Sequence, residues 1–151
     1  MTKEKKSLKI SAFTDGGSRG NPGEAAIGVV IKSGGGKKEY SEYLGSDITN
    51  NEAEYQAAIF ALKKIKQLFG KRALKDSEVE INSDSELLVK QMNGLYKIEN
   101  ENISGLFLKL WNLKIEFSDI SFLSVPRAEN KEADLLANQA LDEKEGNQSL
   151  I

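Results

Sequence analysis

Residues 13–32 read FTDGGSRGNPGEAAIGVVIK, and the way the glycine-rich centre joins the apolar runs on either side decides the fold. A strand, an acid and closely spaced glycines also open a phosphate-binding loop. Such a loop ends in Gly-Lys-Ser/Thr and leads into a helix, because the lysine and the helix N-terminus together hold the phosphates. Residues 13–23 contain no lysine, and the run that follows, EAAIGVVIK (24–32), is rich in β-branched residues and reads as a second strand. The segment therefore joins strand to strand, and Asp15 is expected where the first strand ends and a flexible loop begins.

Working outward, LKISAFT (8–14) is the first strand, EAAIGVVIK the second and KEYSEYLG (38–45) the third, with a glycine turn in SGGGK (33–37). From Asn51 to Phe69 the period changes: Tyr55, Ala58, Ile59, Leu62, Ile65 and Phe69 recur at helical spacing, and Gly70 stops the run. VEINS (79–83) is a strand, SELLVKQMNG (85–94) and ISGLFLKLWNLKIEF (103–117) are helices, ISFLSVP (120–126) is a strand and NKEADLLANQALDE (130–143) a last helix. The order β-β-β-α-β-α-α-β-α implies an α/β fold. Its sheet is mixed and five-stranded, a three-strand antiparallel meander plus parallel strands, with helices packed on it. One domain is expected over residues 8–143, between an N-terminal tail (1–7) and a frayed C-terminal tail (144–151).

The length of 151 residues fits a single domain with a real core. No stretch approaches the ~20 apolar residues of a membrane span, and MTKEKKSLK lacks the apolar region of a secretory signal. A cytoplasmic monomer without membrane association is the expectation. The chain has no cysteine and no histidine, which excludes disulfides, thiolate nucleophiles, Ser-His-Asp triads and His/Cys zinc sites. Catalysis would fall to carboxylates, lysines or hydroxyls, and carboxylate oxygens prefer hard cations such as Mg²⁺ or Mn²⁺. The net charge of −2 hides an asymmetry: residues 1–75 carry 14 basic and 8 acidic side chains, residues 76–151 carry 7 and 15. FALKKIKQLFGKRALK (60–75) holds six basic residues and no acid. It is a footprint for a polyanion or a solvated helix face followed by a basic loop.

Four acids stand where a surface acid has no evident purpose. Asp15 follows the first strand, a common ligand position, although an Asp there can also bond its own turn. In TNNEAEY (49–55), Thr49 and Glu52 fit a capping box, so Glu52 has a structural task. Glu54 projects onto the arc of Ala57, Ala58, Ala61 and Ile65, where an ionised acid is costly unless paired or bound to metal. Asp84 closes VEINS and precedes a helix that it, Ser83 or Ser85 could cap. Asp134 lies one turn into the last helix, in line with Ala137 and Leu141, and Asn130 is the better placed cap. Two strand-end acids and two helix-start acids can converge at one sheet edge. Two divalent cations would relieve their repulsion and form a phosphoryl-transfer clamp, with ions ~3.5–4 Å apart.

FTDGGSRGNPG, TNNEAEYQAAIFAL, INSDSELLVKQMNG and PRAENKEADLLANQAL, in this order and spacing from Leu8 to Leu141, resemble the type 1 ribonuclease H family. The resemblance implies the ribonuclease H-like fold. It also implies cleavage of the RNA strand of RNA/DNA hybrids with two Mg²⁺ or Mn²⁺ ions, leaving 5′-phosphate and 3′-hydroxyl ends. The family's catalytic and metal-binding acids fall on Asp15, Glu54, Asp84 and Asp134, the four selected above. Substrate-binding roles fall on the loop backbone at Gly16, Ser18 and Gly20 (ribose 2′-hydroxyls), on Asn21 and Asn50 (minor groove) and on Thr49 (a DNA phosphate), with Asn51, Ser85 and Arg127 completing the set. Two features depart from many members. SVPRAEN carries Arg127 where many have histidine, and arginine stays protonated, so it can bind phosphate but not act as a base. NGLYKIENENISG has Lys97 as its sole basic residue, so the basic helix-loop handle of some members is absent, implying weaker or more salt-sensitive hybrid binding. The alternatives are a catalytically silent nucleic-acid-binding module of this fold, or a same-fold nuclease acting on DNA or double-stranded RNA.

Overall fold

The computed structural model describes residues 8–149. The strands β1 (Leu8–Arg19), β2 (Gly23–Ser33) and β3 (Gly36–Ile48) form the antiparallel meander. The strands β4 (Ser77–Ser83) and β5 (Ile120–Ser124) run parallel on the other side of β1, giving a five-stranded sheet of order β3-β2-β1-β4-β5. Parallel neighbours need crossovers. Helices α1 (Asn50–Phe69) and α2 (Lys71–Lys75) lead into β4, α3 (Glu86–Met92) and α4 (Glu101–Lys114) connect β4 to β5, and a 3₁₀ turn (Arg127–Asn130) leads into α5 (Lys131–Ser149). The expected architecture is present. The expected tail over residues 1–7 lies outside the described residues, as do residues 150 and 151.

β1 differs from the expectation in a way that bears on the site. It does not stop at Thr14, because Asp15 to Arg19 continue the antiparallel ladder opposite Gly28 to Glu24. What stops at Thr14 is the parallel ladder with β4, whose last rung is Thr14 opposite Ser83. Asp15 is thus the first residue of β1 beyond the end of β4. Its backbone is held on one side by β2 and its other side opens onto the sheet's carboxyl edge.

The frayed tail expected from residue 144 is also corrected, since α5 continues through Ser149. Its later turns are fastened to the sheet: Arg19 pairs with Asp142 at 2.7 Å and Glu145 at 2.8 Å, and the Lys144 ammonium sits 5.1 Å from the Tyr43 ring centre. Gly146 costs a helix only about 0.5–1 kcal/mol, which such contacts can offset.

Helices cover both faces of the sheet. Every residue of β2 from Ala25 to Ile31 is buried, because α1 packs on one face and α5 on the other. Ile10, Ala12, Ile27, Val29 and Ile31 form the main core with Tyr55, Ala58, Leu62 and Ile65 of α1, extended by Ile103 and Leu110 of α4. On the opposite face Ala26 packs with Ala140 and Leu141 of α5. Two glycines set the spacing. A Cβ at Gly28 would stand 1.9 Å from the Ala133 carbonyl oxygen, and a Cβ at Gly16 would stand 2.2 Å from the Ala53 carbonyl. A glycine inside a strand can mark close backbone approach, and here Gly28 admits α5 and Gly16 admits α1.

Gly28→Ala is accordingly expected to destabilise the fold by about 1–3 kcal/mol or more through overpacking. Gly105→Ala, in α4 with open space around the added methyl, should stabilise by about 0.5–1 kcal/mol. Urea unfolding midpoints check both, and a Gly28→Ala midpoint equal to that of the unsubstituted chain would contradict the packing described.

Candidate metal centre

Three elements deliver acids to the sheet edge. The carboxylates of Asp15, Glu54 and Asp84 each offer an oxygen, and all three oxygens lie within 4.8 Å of one another. Asp15 reaches the edge from β1 and is only 8% exposed.

Glu54 is placed by the start of α1. Thr49 Oγ1 accepts from the Glu52 amide at 3.1 Å, and the Thr49 amide donates to Glu52 Oε1 at 2.9 Å. This closed capping box fixes the first turn and turns Glu54 towards β1, where its Oε1 accepts from the Gly16 amide at 2.8 Å. Of the two glutamates, Glu52 is the cap and Glu54 belongs to the cluster. Asp84 follows the last residue of β4, and it does not cap α3. That task falls to Ser85, whose hydroxyl accepts from the Leu88 amide at 3.3 Å, while Ser83 Oγ accepts from the Ser85 amide at 3.0 Å.

Asp134 borders this group without entering it. It approaches from α5 near enough to help hold the Asp15 carboxyl up, and its Oδ1 accepts from Asn138 Nδ2 at 3.3 Å. The four acids expected to converge are therefore three within a common radius and one alongside. Asn130 corrects the expectation that it caps α5. It is 1% exposed and its Nδ2 donates to the Thr14 carbonyl at 2.8 Å, tying the start of α5 to β1 beside Asp15. Asn130 Oδ1 and Thr14 Oγ1 are buried without a hydrogen-bond partner among the described residues. No sequence signal separates such an asparagine from a cap, since both precede a helix.

Crowding shapes the electrostatics. Burial pushes the Asp15 carboxyl up to about 8, aided by the Asp84 charge and by the hydrogen bond and charge of Asp134, with Arg127 opposing. Glu54 is held well above the ordinary carboxylate range by burial and then by the Asp15 and Asp84 charges, opposed by the Gly16 amide and Arg127. Arg127 supplies weak relief: its Nε lies 3.8 Å from Asp84 Oδ2 and its side chain is 89% exposed. All donors in the cluster are carboxylate oxygens, and the chain has no histidine or cysteine. A set of anionic oxygens short of cationic partners fits a hard divalent cation.

The glycine-rich turn and the start of α1 are knitted together next to this centre. Ser18 donates from its amide (2.8 Å) and hydroxyl (3.2 Å) to Asn50 Oδ1, and the Asn50 amide donates to Asn21 Oδ1 at 3.0 Å. Gly20 has φ +88°, which glycine adopts without strain. Ser18, Asn21, Thr49 and Asn50 thus form one polar ledge, with Asn51 exposed on the first turn. On the other side a cleft of about 560 Å³ is lined by Glu54, Asp84, Glu86, Ser124, Val125, Pro126 and Arg127. Of the predicted site residues, Thr49 and Ser85 are the two occupied by capping bonds. The basic stretch 60–75 lies on the later turns of α1 and on α2, away from the cleft, with Lys66 paired to Glu116 at 2.7 Å. Residues 93–100 link α3 to α4 without a helix.

A family model described as reverse transcriptase-like matches residues 13–140. Ribonuclease HI of Halobacterium salinarum is 39% identical over 137 residues, covering 89% of this chain and 65% of that protein. The crystal structure of LC11-RNase H1 in complex with an RNA/DNA hybrid superposes with a TM-score of 0.81 at 43% identity, covering 91% of this chain and 98% of that one. The chain belongs to the type 1 ribonuclease H family. It also resembles the bifunctional protein Rv2228c of Mycobacterium tuberculosis, at 36% identity over 138 residues. The chain spans 65% of the length of the Halobacterium relative and 36% of that of Rv2228c. Membership accounts for the ribonuclease H-like fold, and no helix among the described residues is long and apolar enough to cross a membrane.

The raised Asp15 carboxyl sets a pH dependence. In the metal-free fold it stays protonated where the unfolded chain, with an ordinary value of 3.8, ionises it. The stability it contributes is intact below that ordinary value and is lost as pH rises through about 8. Asp15→Asn should therefore raise the Tm of metal-free protein more at about pH 9 than at about pH 5. A Tm difference independent of pH would contradict this, and excess Mn²⁺ should narrow the gap by stabilising the unsubstituted chain.

Proposed function

We propose that this chain is an endoribonuclease that hydrolyses the RNA strand of RNA/DNA hybrids with divalent metal ions, Mg²⁺ or Mn²⁺. The observation that carries the reading is the Asp15–Glu54–Asp84 cluster, with carboxylate oxygens within 4.8 Å of one another beside an open cleft. A fold has no structural use for mutually repelling acids removed from solvent. Their placement next to a polar ledge of hydroxyl and carboxamide side chains supports a phosphodiester substrate. The hybrid bound by the LC11 relative supports its identity.

In this reading Asp15, Glu54 and Asp84 hold two cations and Asp134 contributes from beside Asp15. When bound, such ions neutralise the cluster, supply a nucleophilic water near neutral pH and stabilise the charge that develops on the phosphate. Water adds to phosphorus, the bond to the 3′ oxygen breaks and that oxygen takes a proton, leaving 5′-phosphate and 3′-hydroxyl ends. The protein's own share is positioning. Gly20 lets the backbone approach the RNA strand, while Gly16, expected to do the same, is turned to α1 and holds Glu54 through its amide; Ser18, Asn21 and Asn50 face the minor groove, where 2′-hydroxyls distinguish RNA from DNA. Thr49 and Asn51 take the DNA strand from the start of α1, where the helix dipole favours phosphate. Arg127 neutralises a phosphate at the mouth of the cleft, while Ser85 serves by holding Asp84 at the head of α3.

Asp15→Asn, Glu54→Gln and Asp84→Asn should each reduce hybrid cleavage to background while the protein stays folded. Glu52→Gln, which preserves the capping box, should leave it nearly unchanged. Pure enzyme assayed on RNA/DNA, RNA/RNA, DNA/DNA and DNA-strand-labelled hybrid should cut only the RNA of the hybrid, and only with Mg²⁺ or Mn²⁺. Equal cutting of hybrid and double-stranded DNA would overturn the substrate assignment.

A further inference from the structure

A chain of side chains runs from the end of β1 to the fourth acid. Arg19 Nη2 donates to Asn138 Oδ1 at 3.1 Å, and its terminal nitrogens pair with Asp142 and Glu145 at 2.7 and 2.8 Å. The three partners stand at i, i+4 and i+7 on one face of α5, so the guanidinium is clamped along that helix. Asn138 Nδ2 donates to the Asp134 carbonyl at 3.0 Å and to Asp134 Oδ1 at 3.3 Å. Asp134 in turn acts on the Asp15 carboxyl, which it helps to raise.

A guanidinium has donors and no acceptor. It therefore decides which end of the Asn138 amide faces it: the oxygen turns to Arg19 and the nitrogen to Asp134. A reversed amide would set donor against donor at Arg19 and oxygen against oxygen at Asp134. The backbone of α5 is already fixed where it crosses β2, with Ala133 packed on Gly28, so rotation of the Asp134 side chain is the freedom that remains. We propose that Arg19 and Asn138 are positioning residues, which orient the Asp134 carboxylate beside Asp15 and so make it available to the cations. This rests on the metal-dependent reading above. It also gives the final turns of α5 a task, since Asp142 and Glu145 hold Arg19 in the conformation that orients the amide.

The test is a double-mutant cycle read by calorimetric binding of Mn²⁺ to the substrate-free protein, using the unsubstituted chain, Asn138→Ala, Asp134→Ala and the pair. Asn138→Ala should weaken Mn²⁺ binding by about tenfold, the scale of outer partners of metal ligands, and should have no further effect once Asp134 is alanine. Arg19→Met should follow the same pattern with a smaller loss. Undiminished binding by Asn138→Ala, or equal loss in both backgrounds, would overturn the proposal. Urea midpoints verify folding, and Asn138→Leu, similar in shape and without a donor, replaces alanine if that variant does not fold. Hybrid cleavage by the unsubstituted chain is assayed separately. Its absence would count against the proposed function and leave the Mn²⁺ cycle to decide the role of Arg19 and Asn138.

Discussion

The contact on which the site depends is the approach of α1 to β1 at Gly16. A side chain there would strike the Ala53 carbonyl at 2.2 Å, and without one the Gly16 amide donates to Glu54 at 2.8 Å. One glycine thus lets the helix sit close enough for a strand amide to anchor an acid that would otherwise be repelled by Asp15 and Asp84. The capping box of Thr49 and Glu52 fixes the phase of the same helix. The end of β4 one rung before Asp15 leaves room for Asp84. Each element is held by interactions that do not involve the acids, so the cluster is imposed on the carboxylates by the scaffold.

That imposition has an energetic cost which the rest of the molecule offsets. The raised Asp15 and Glu54 carboxyls are preorganisation read as destabilisation: the metal-free fold favours protonation, whereas a divalent cation favours the ionised form. The compensation is a tightly packed α1–sheet–α5 sandwich, with β2 buried on both faces, and a polar link on each side of the site. Asn130 ties α5 to Thr14. On the other side Tyr55 donates to Gln91 at 2.6 Å and Gln91 donates to the Lys97 carbonyl at 3.1 Å, clamping α3 and the segment after it to α1. Buried polar links of this kind are rigid because breaking one strands an unsatisfied group.

Much of this was legible in the sequence because local signals and tertiary need coincide. The capping box separated Glu52 from Glu54, and the surplus of serines around Asp84 left that acid without a structural task. The strand after the glycine-rich turn excluded a nucleotide cradle. What was not legible depended on partners distant in sequence. The extension of β1 to Arg19 follows from pairing with β2, which rescues glycines that by themselves read as loop. The persistence of α5 follows from Arg19, more than a hundred residues earlier. Asn130 looks like a cap until Thr14 is brought beside it. Gly28 is the exception among these, since a lone glycine within an apolar strand already announces a close backbone neighbour, though not which one.

The charge arrangement links the proposed metal and substrate sites. The edge that would receive a polyanion is lined by acids and by uncharged donors on Ser18, Asn21, Thr49 and Asn50. Arg127 stands at 3.8 Å from Asp84, and the basic stretch 60–75 lies at the far end of α1. Where the acids are ionised and no cation is bound, a phosphate approaching the cluster would meet repulsion. With the acids neutralised, the same phosphate would meet positive charge and ordered donors. Affinity for the nucleic acid and affinity for the cation would then rise together, since each favours the state that the other requires. A basic handle would weaken this coupling by binding the duplex whether or not metal is present. On the proposed reading, a chain that joins α3 to α4 through residues 93–100, with Lys97 as their sole basic residue, would leave recognition of the substrate tied to the loaded state of the site.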